Sequence, residues 1–177
     1  MDAERHNLIR VLTSTGAVRF GTFTLASGAT SDVYVDIKKA WTDPACLRVI
    51  AAALAARVGT AQRLAGMELG AVPLVVATAL STGLPYVVVR KAAKEHGTRQ
   101  RFEGEIPSGC RVLVIEDVST SGGSSAETVE VVRAAGGVVD RLLVVVDRES
   151  GARERLAGMG VRIEPLVTLR ELRGAPT

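Results

Sequence analysis

Aromatic side chains are scarce in this chain: phenylalanine, tryptophan and tyrosine together make 3% of its 177 residues. A core with so few rings has to be packed from valine, leucine and alanine, and apolar residues do reach 47%. That composition suits buried parallel strands with helices on both faces. Cysteine is scarce too. Cys46 and Cys110 are too few for a disulfide framework, so the setting they suggest is reducing and cytoplasmic. The histidines are His6 and His96 alone, and with two separated cysteines no zinc site is expected. The net charge of +3 is mild and gives no argument for a nucleic-acid partner. The opening MDAERHNLIR is charged and does not read as a signal peptide.

Charge is missing altogether from Leu69 to Val89, a stretch that approaches the length of a membrane span. Pro73, Gly83 and Pro85 divide it, and the Ser-Thr-Gly at 81–83 is a turn signal. It reads as a buried helix, a turn and a buried strand, and no membrane partner is expected.

The length suits one domain. Residues 3–14 have the pattern of an amphipathic helix, and RFGTFTLASGATSDVYVDIK reads as two short strands joined by ASGATS. DPACLRVIAAALAARVG predicts a helix with Asp43 as N-cap, Pro44 in its first turn and a stop at Gly59. Strand and helix patterns then alternate. RLAGM, PYVVVRK, CRVLVIED, VDRLLVVVD and VRIEPLVTL are strand-like; GAVPLVVATALSTG, SSAETVEVVRAAGG and SGARERLAGMG are helical. The alternation predicts an α/β fold with a mainly parallel open sheet flanked by helices. Residues 91–109 are long and polar for a connection, the pattern of a functional lid or a disordered segment.

The stretch VLVIEDVSTSGG, 112–123, carries the chemistry. An apolar strand runs into Glu116 and Asp117 at what reads as its carboxyl end, where open α/β sheets bind ligands. Carboxylates there can accept hydrogen bonds from the vicinal hydroxyls of a ribose or hold a hydrated metal ion. The loop of Ser119, Thr120, Ser121, Gly122, Gly123 and Ser124 then enters a helix, giving hydroxyls, backbone N–H groups and a helix N-terminus that suit a phosphate. An ordinary turn and cap would need fewer of these residues. GxxxxGK[ST] and GxGxxG are both absent, which removes support for ATPase and dinucleotide readings.

VLVIEDVSTSGGS resembles the phosphoribosyl pyrophosphate (PRPP) signature of type I phosphoribosyltransferases. FTLASGATSDVYVD (23–36), RKAAKEHGTRQRFEG (90–104) and VVDRESGA (145–152) resemble, in order and spacing, the orotate phosphoribosyltransferase family. The resemblance implies the type I phosphoribosyltransferase fold as one domain, with a small hood from about 1–40 plus the C-terminal segment and a core of about 41–165. It implies transfer of a phosphoribosyl group from PRPP to orotate. Mg²⁺ would come mainly with PRPP, leaving no metal ligands on the chain, and a homodimer would share its basic lid between subunits. Carried onto this sequence, Glu116 and Asp117 would hold the ribose hydroxyls and Ser119 to Ser124 would wrap the 5′-phosphate, with Val118 between them also binding PRPP. Arg90, Lys91, Lys94 and His96 would meet the pyrophosphate; Thr120, Arg148 and Tyr34 would contact orotate. Lys94, His96 and Asp117 would be the catalytic groups. Ala26 departs from a lysine that many relatives carry in the hood. The turn ELGAVP, 68–73, resembles the family's pyrophosphate-binding turn but lacks the lysine of some members. Other readings stand beside these. Arg148 could cap the helix that follows it, and the lid's charges could be a solvated surface. The whole could be a PRPP- or nucleotide-sensing regulator, or a phosphoribosyltransferase for another base.

Overall fold

The computed structural model describes residues 3–24, 30–92 and 100–174. Helix α1 (Ala3–Ser14) buries Leu8, Ile9 and Leu12, the apolar stripe expected of it. An antiparallel hairpin follows, β1 (Val18–Thr24) and β2 (Thr30–Val35). A short helix α2 (Lys38–Trp41) leads into α3 (Pro44–Ala55), where Asp43 caps by accepting a hydrogen bond from the Cys46 N–H. Strands and helices then alternate. In chain order they are β3 (Arg63–Met67), α4 (Val72–Thr82), β4 (Tyr86–Val89), β5 (Phe102–Glu103), β6 (Val112–Ser119), α5 (Gly123–Ala134), β7 (Arg141–Asp147), α6 (Ala152–Gly158), β8 (Arg162–Thr168) and α7 (Leu169–Arg173).

The central sheet runs in the order β5-β4-β3-β6-β7-β8. All its pairings are parallel except the antiparallel edge made by β5. The chain builds outward from β3 to β4, then returns to the other side of β3 for β6. Such a reversal opens a crevice beyond the carboxyl ends of the strands.

Alternation along the strands sorts the core into two layers. Leu113, Ile115, Leu143 and Val145 pack with Leu12, Ile50, Leu54 and Leu74 on one face. Val112, Val114, Leu142 and Val144 pack with Val129, Val132 and Leu156 on the other. Cys46 and Cys110 are both buried and free, as core residues of this kind are expected to be. Trp41 packs where α2 meets the first layer. Arg5 pairs with Glu171 at 2.7 Å, and Arg173 pairs with Asp32, so α7 is tied to α1 and to the hairpin.

Several elements differ from the sequence reading. β6 does not end at Asp117; it runs to Ser119, held by β7 through the Val118–Val146 and Ser119–Asp147 register. α3 ends at Ala55, short of Gly59. Part of 91–109 is not connection at all, because Phe102 and Glu103 form the sheet edge on β4. The helix α7, closed by a reciprocal Thr168–Glu171 capping box, has no counterpart in the prediction. Among the described residues no helix is long and apolar enough to cross a membrane.

Candidate active site

Glu116 and Asp117 follow one another on β6, so their side chains leave opposite faces of the sheet. Glu116 turns toward α5, where its Oε2 accepts hydrogen bonds from Ser124 Oγ at 3.2 Å and Ser125 Oγ at 3.0 Å. Asp117 turns toward the turn after β3, which contains a cis peptide bond between Glu68 and Leu69. A Cβ on Gly70 would lie 2.3 Å from Asp117 Oδ2, so only glycine leaves room for this carboxylate. Asp117 Oδ1 accepts from the Val118 N–H at 2.8 Å. Glu116 is 6% exposed. Burial, and then the negative charge of Asp117, push its carboxyl up to about 7 against the opposing help of the two serine hydroxyls.

Beyond Asp117 the strand gives way to Thr120, Ser121 and Gly122. Gly122 adopts φ 74°, and a Cβ there would lie 3.0 Å from the Ala152 Cα, so the turn into α5 requires glycine on both counts. Residues 118–125 line a cavity of about 150 Å³. Thr120, Ser121, Gly123 and Ser124 are exposed around it. The first N–H groups of α5 have no acceptor within the helix. Larger cavities of about 790 Å³ beside Phe102 and Ile106 and about 930 Å³ beside α1 lack both the acidic pair and the hydroxyl-glycine loop.

The neighbouring strand supplies Arg148. Its N–H donates to the Ser119 carbonyl at 2.9 Å, which sets it beside the loop. It does not cap α6: that helix starts behind Gly151 with no side-chain cap. The Arg148 Nε and the Ser119 Oγ are both buried without a hydrogen-bond partner. Asp147, 1% exposed, fixes the turn that carries Arg148 by accepting from the Glu149 N–H at 2.9 Å and from Arg153 at 3.3 Å.

Arg90 and Lys91 leave the end of β4. Arg90 is engaged by Glu103 of the edge strand at 3.2 Å. Lys91 is exposed, and its N–H donates to Glu68 Oε1 at 2.9 Å. Arg101 secures this stem: its Nη2 donates to the carbonyls of Arg90 at 3.2 Å and Lys91 at 2.8 Å and pairs with Glu127 of α5 at 2.5 Å. Lys94, His96 and Ala26 lie outside the described residues.

The hairpin contributes an aromatic pair. Phe23 and Tyr34 have ring centroids 5.6 Å apart, and the Arg19 guanidinium stands 5.5 Å and 5.1 Å from their centres. Lys38 joins hairpin and sheet. Its Nζ is 3.0 Å from Asp36 Oδ1. The hydrogen bond that Lys38 donates to Asp36 raises its pKa against the smaller opposing effect of burial, and the charges of Asp36, Asp117 and Tyr34 add to the rise. Sequence reasoning missed Glu68 and Gly70 as individual residues, although their turn was visible. It also missed Lys38, Arg101 and Asp147, for which local sequence offers no signal beyond charge.

Comparison with known proteins decides the family. Residues 41–163 match the phosphoribosyl transferase domain. An orotate phosphoribosyltransferase of Natronomonas pharaonis is 53% identical over 165 residues, covering 93% of this chain and 95% of the relative. The chain belongs to the orotate phosphoribosyltransferase family. Family members with solved structures share its fold. That of Aeropyrum pernix superposes with a TM-score of 0.84 at 38% identity, covering 93% of this chain and 95% of that one. That of Mycobacterium tuberculosis, solved in complex with PRPP, gives a TM-score of 0.80 at 31% identity, covering 96% and 99%. The type I phosphoribosyltransferase fold expected from the motifs is the fold observed.

Proposed function

We propose that this chain transfers the 5-phosphoribosyl group from PRPP to orotate, forming orotidine 5′-monophosphate and pyrophosphate. One observation carries the reading: the adjacent Glu116–Asp117 pair and a hydroxyl- and glycine-rich loop open together at the carboxyl end of β6, within a chain 53% identical to an orotate phosphoribosyltransferase. Glu116 and Asp117 accept hydrogen bonds from the ribose hydroxyls. Val118, Ser119, Thr120, Ser121, Gly122, Gly123 and Ser124 enclose the 5′-phosphate through donors that match its oxygens. Arg148 offers a planar fork to the orotate carboxylate, with Thr120 beside it and Tyr34 against the base.

In the reaction the bond from the anomeric carbon to pyrophosphate breaks and one to the orotate nitrogen forms, while that nitrogen's proton leaves. Negative charge builds on pyrophosphate. Arg90, Lys91, Lys94 and His96 are the groups assigned to it, and fixed cations aimed at a leaving group lower the barrier. His96 can also donate a proton there. The charge of Asp117 disfavours that of Glu116, an arrangement that suits a ligand arriving with a cation. Mg²⁺ bound to PRPP supplies that positive charge. The Ala26 departure places more of the pyrophosphate's neutralisation on the lid. We assign a homodimer whose lid serves the neighbouring subunit, and a cytoplasmic location in keeping with the free Cys46 and Cys110.

The test is a base screen. With Mg²⁺ and PRPP, orotate is consumed and pyrophosphate released, while uracil, adenine, guanine and hypoxanthine react poorly. Turnover of a purine base equal to or better than that of orotate overturns the assignment.

A further inference from the structure

Arg90 and Lys91 lie past the sheet ladder on both sides: β4 stops at Val89, β3 at Met67, and β5 begins only at Phe102. Their backbone is held from elsewhere. The Arg90 N–H donates to the Arg101 carbonyl at 2.8 Å, and the Arg101 Nη2 donates back to the carbonyls of Arg90 and Lys91. The Lys91 N–H is taken by Glu68 Oε1. All four backbone polar groups of the pair are thereby engaged, three of them by Arg101. The same Nη2 pairs with Glu127, and both side chains are part-sheltered, at 32% and 42% exposure. Glu127 stands about one turn beyond Ser124 on α5. A guanidinium has donors enough to serve two carbonyls and a carboxylate at once. Neither core layer includes Arg101. Its contacts run between a strand end and the helix that opens at the hydroxyl-glycine loop.

We propose that Arg101, aimed by Glu127, is a positioning residue for pyrophosphate. It acts through the backbone of Arg90 and Lys91, setting where their cations stand relative to the loop at the start of α5. Backbone past a strand end is free to sample several conformations, and fixing it costs entropy. The Arg101 clamp fixes it before a ligand arrives, so that cost does not fall on binding, and the cations are already aimed where charge builds. Glu127 matters for the same reason one step removed: an unpaired arginine side chain has many rotamers, and the ion pair selects the one that reaches both carbonyls. This rests on reading Arg90 and Lys91 as pyrophosphate groups, and it adds to that reading a pair of residues that need not touch the ligand.

The experiment titrates pyrophosphate with Mg²⁺ and, separately, ribose 5-phosphate into the wild type and each variant by calorimetry. Arg101→Met keeps most of the side chain's length and loses its donors. Its affinity for pyrophosphate falls by about tenfold, as for a lost charged hydrogen bond, while that for ribose 5-phosphate holds at the wild-type value. Glu127→Ala separates positioning from charge. It removes a negative charge, so attraction by net charge alone leaves pyrophosphate affinity unchanged or raises it. Positioning lowers it instead, by roughly threefold, in keeping with a part-exposed ion pair, again with ribose 5-phosphate unaffected. If Arg101→Met does not fold, Glu127→Ala carries the test by itself. Wild-type pyrophosphate affinity in Arg101→Met, or unchanged or tighter binding by Glu127→Ala, overturns the proposal. An equal loss for both ligands in either variant makes the pair a structural support and also overturns it. Wild-type protein that ignores pyrophosphate overturns the reading of Arg90 and Lys91 itself.

Discussion

Asp117 rests on Gly70: a Cβ on that glycine would stand 2.3 Å from one carboxylate oxygen and 2.9 Å from the other. The two residues come from different strand ends, the turn after β3 and the last part of β6. Gly70→Ala must therefore push the carboxylate away while touching little else, since Gly70 lies in a turn outside the core layers. A displacement of about 1 Å in a reacting group is enough to cost about 10²-fold in rate. We expect kcat/KM for PRPP to drop by about that factor, with far-ultraviolet circular dichroism unchanged. Wild-type kinetics in Gly70→Ala would show that Asp117 need not stand where it does.

Glu116 gives the molecule a pH dependence of definite sign. Its carboxyl is pushed from the ordinary 4.5 up to about 7, so the folded chain keeps a proton that the unfolded chain has lost. The stability contributed by this group is full below the unfolded value and is lost as pH rises through the folded one. Glu116→Gln preserves an acceptor for Ser124 and Ser125 but cannot ionise. Denaturant titration should find the variant close to wild type at about pH 5 and more stable by roughly 2–3 kcal/mol at about pH 8. Ribose hydroxyls want the ionised acceptor, so PRPP binding by the wild type should tighten over the same interval and the variant should lose that trend. A wild-type affinity that weakens with rising pH removes Glu116 from the ribose site.

Arg148 has a buried Nε without a protein partner and begins at the edge of the loop. Arg148→Lys retains the charge and loses the fork that a carboxylate fits. The KM for orotate should rise about tenfold or more, in line with a charged hydrogen bond, while that for PRPP changes little. If the PRPP term moves instead, Arg148 belongs to the phosphates.

Much of this was legible in the sequence because local rules and the final fold agree. Asp43 and Pro44 announce a helix and make one, and the apolar strands lie where their patterns put them. The loop from Val118 to Ser124 could be read because its chemistry is contiguous. What could not be read depends on distance along the chain. Gly70 matters only because β3 and β6 are neighbours in the sheet, and Arg101 only because a two-residue edge strand folds back on β4 beside α5. The extension of β6 past the acids follows from pairing with β7, which no property of the Asp-Val-Ser sequence announces. Lys38 carries no local signal beyond its charge; its place beside Asp36, Asp117 and Tyr34 is a product of the hairpin's return to the sheet.

The scarcity of rings leaves the chain with one tryptophan, Trp41. It is half-buried against the core, its indole N–H is enclosed without a partner, and it closes the short helix that Lys38 opens. The molecule thus carries a native optical gauge at the junction between hairpin and sheet. Emission from the unlabelled protein reads the polarity of that one junction, free of background from any other indole, so movements of the hairpin against the sheet can be timed in solution without attaching a dye.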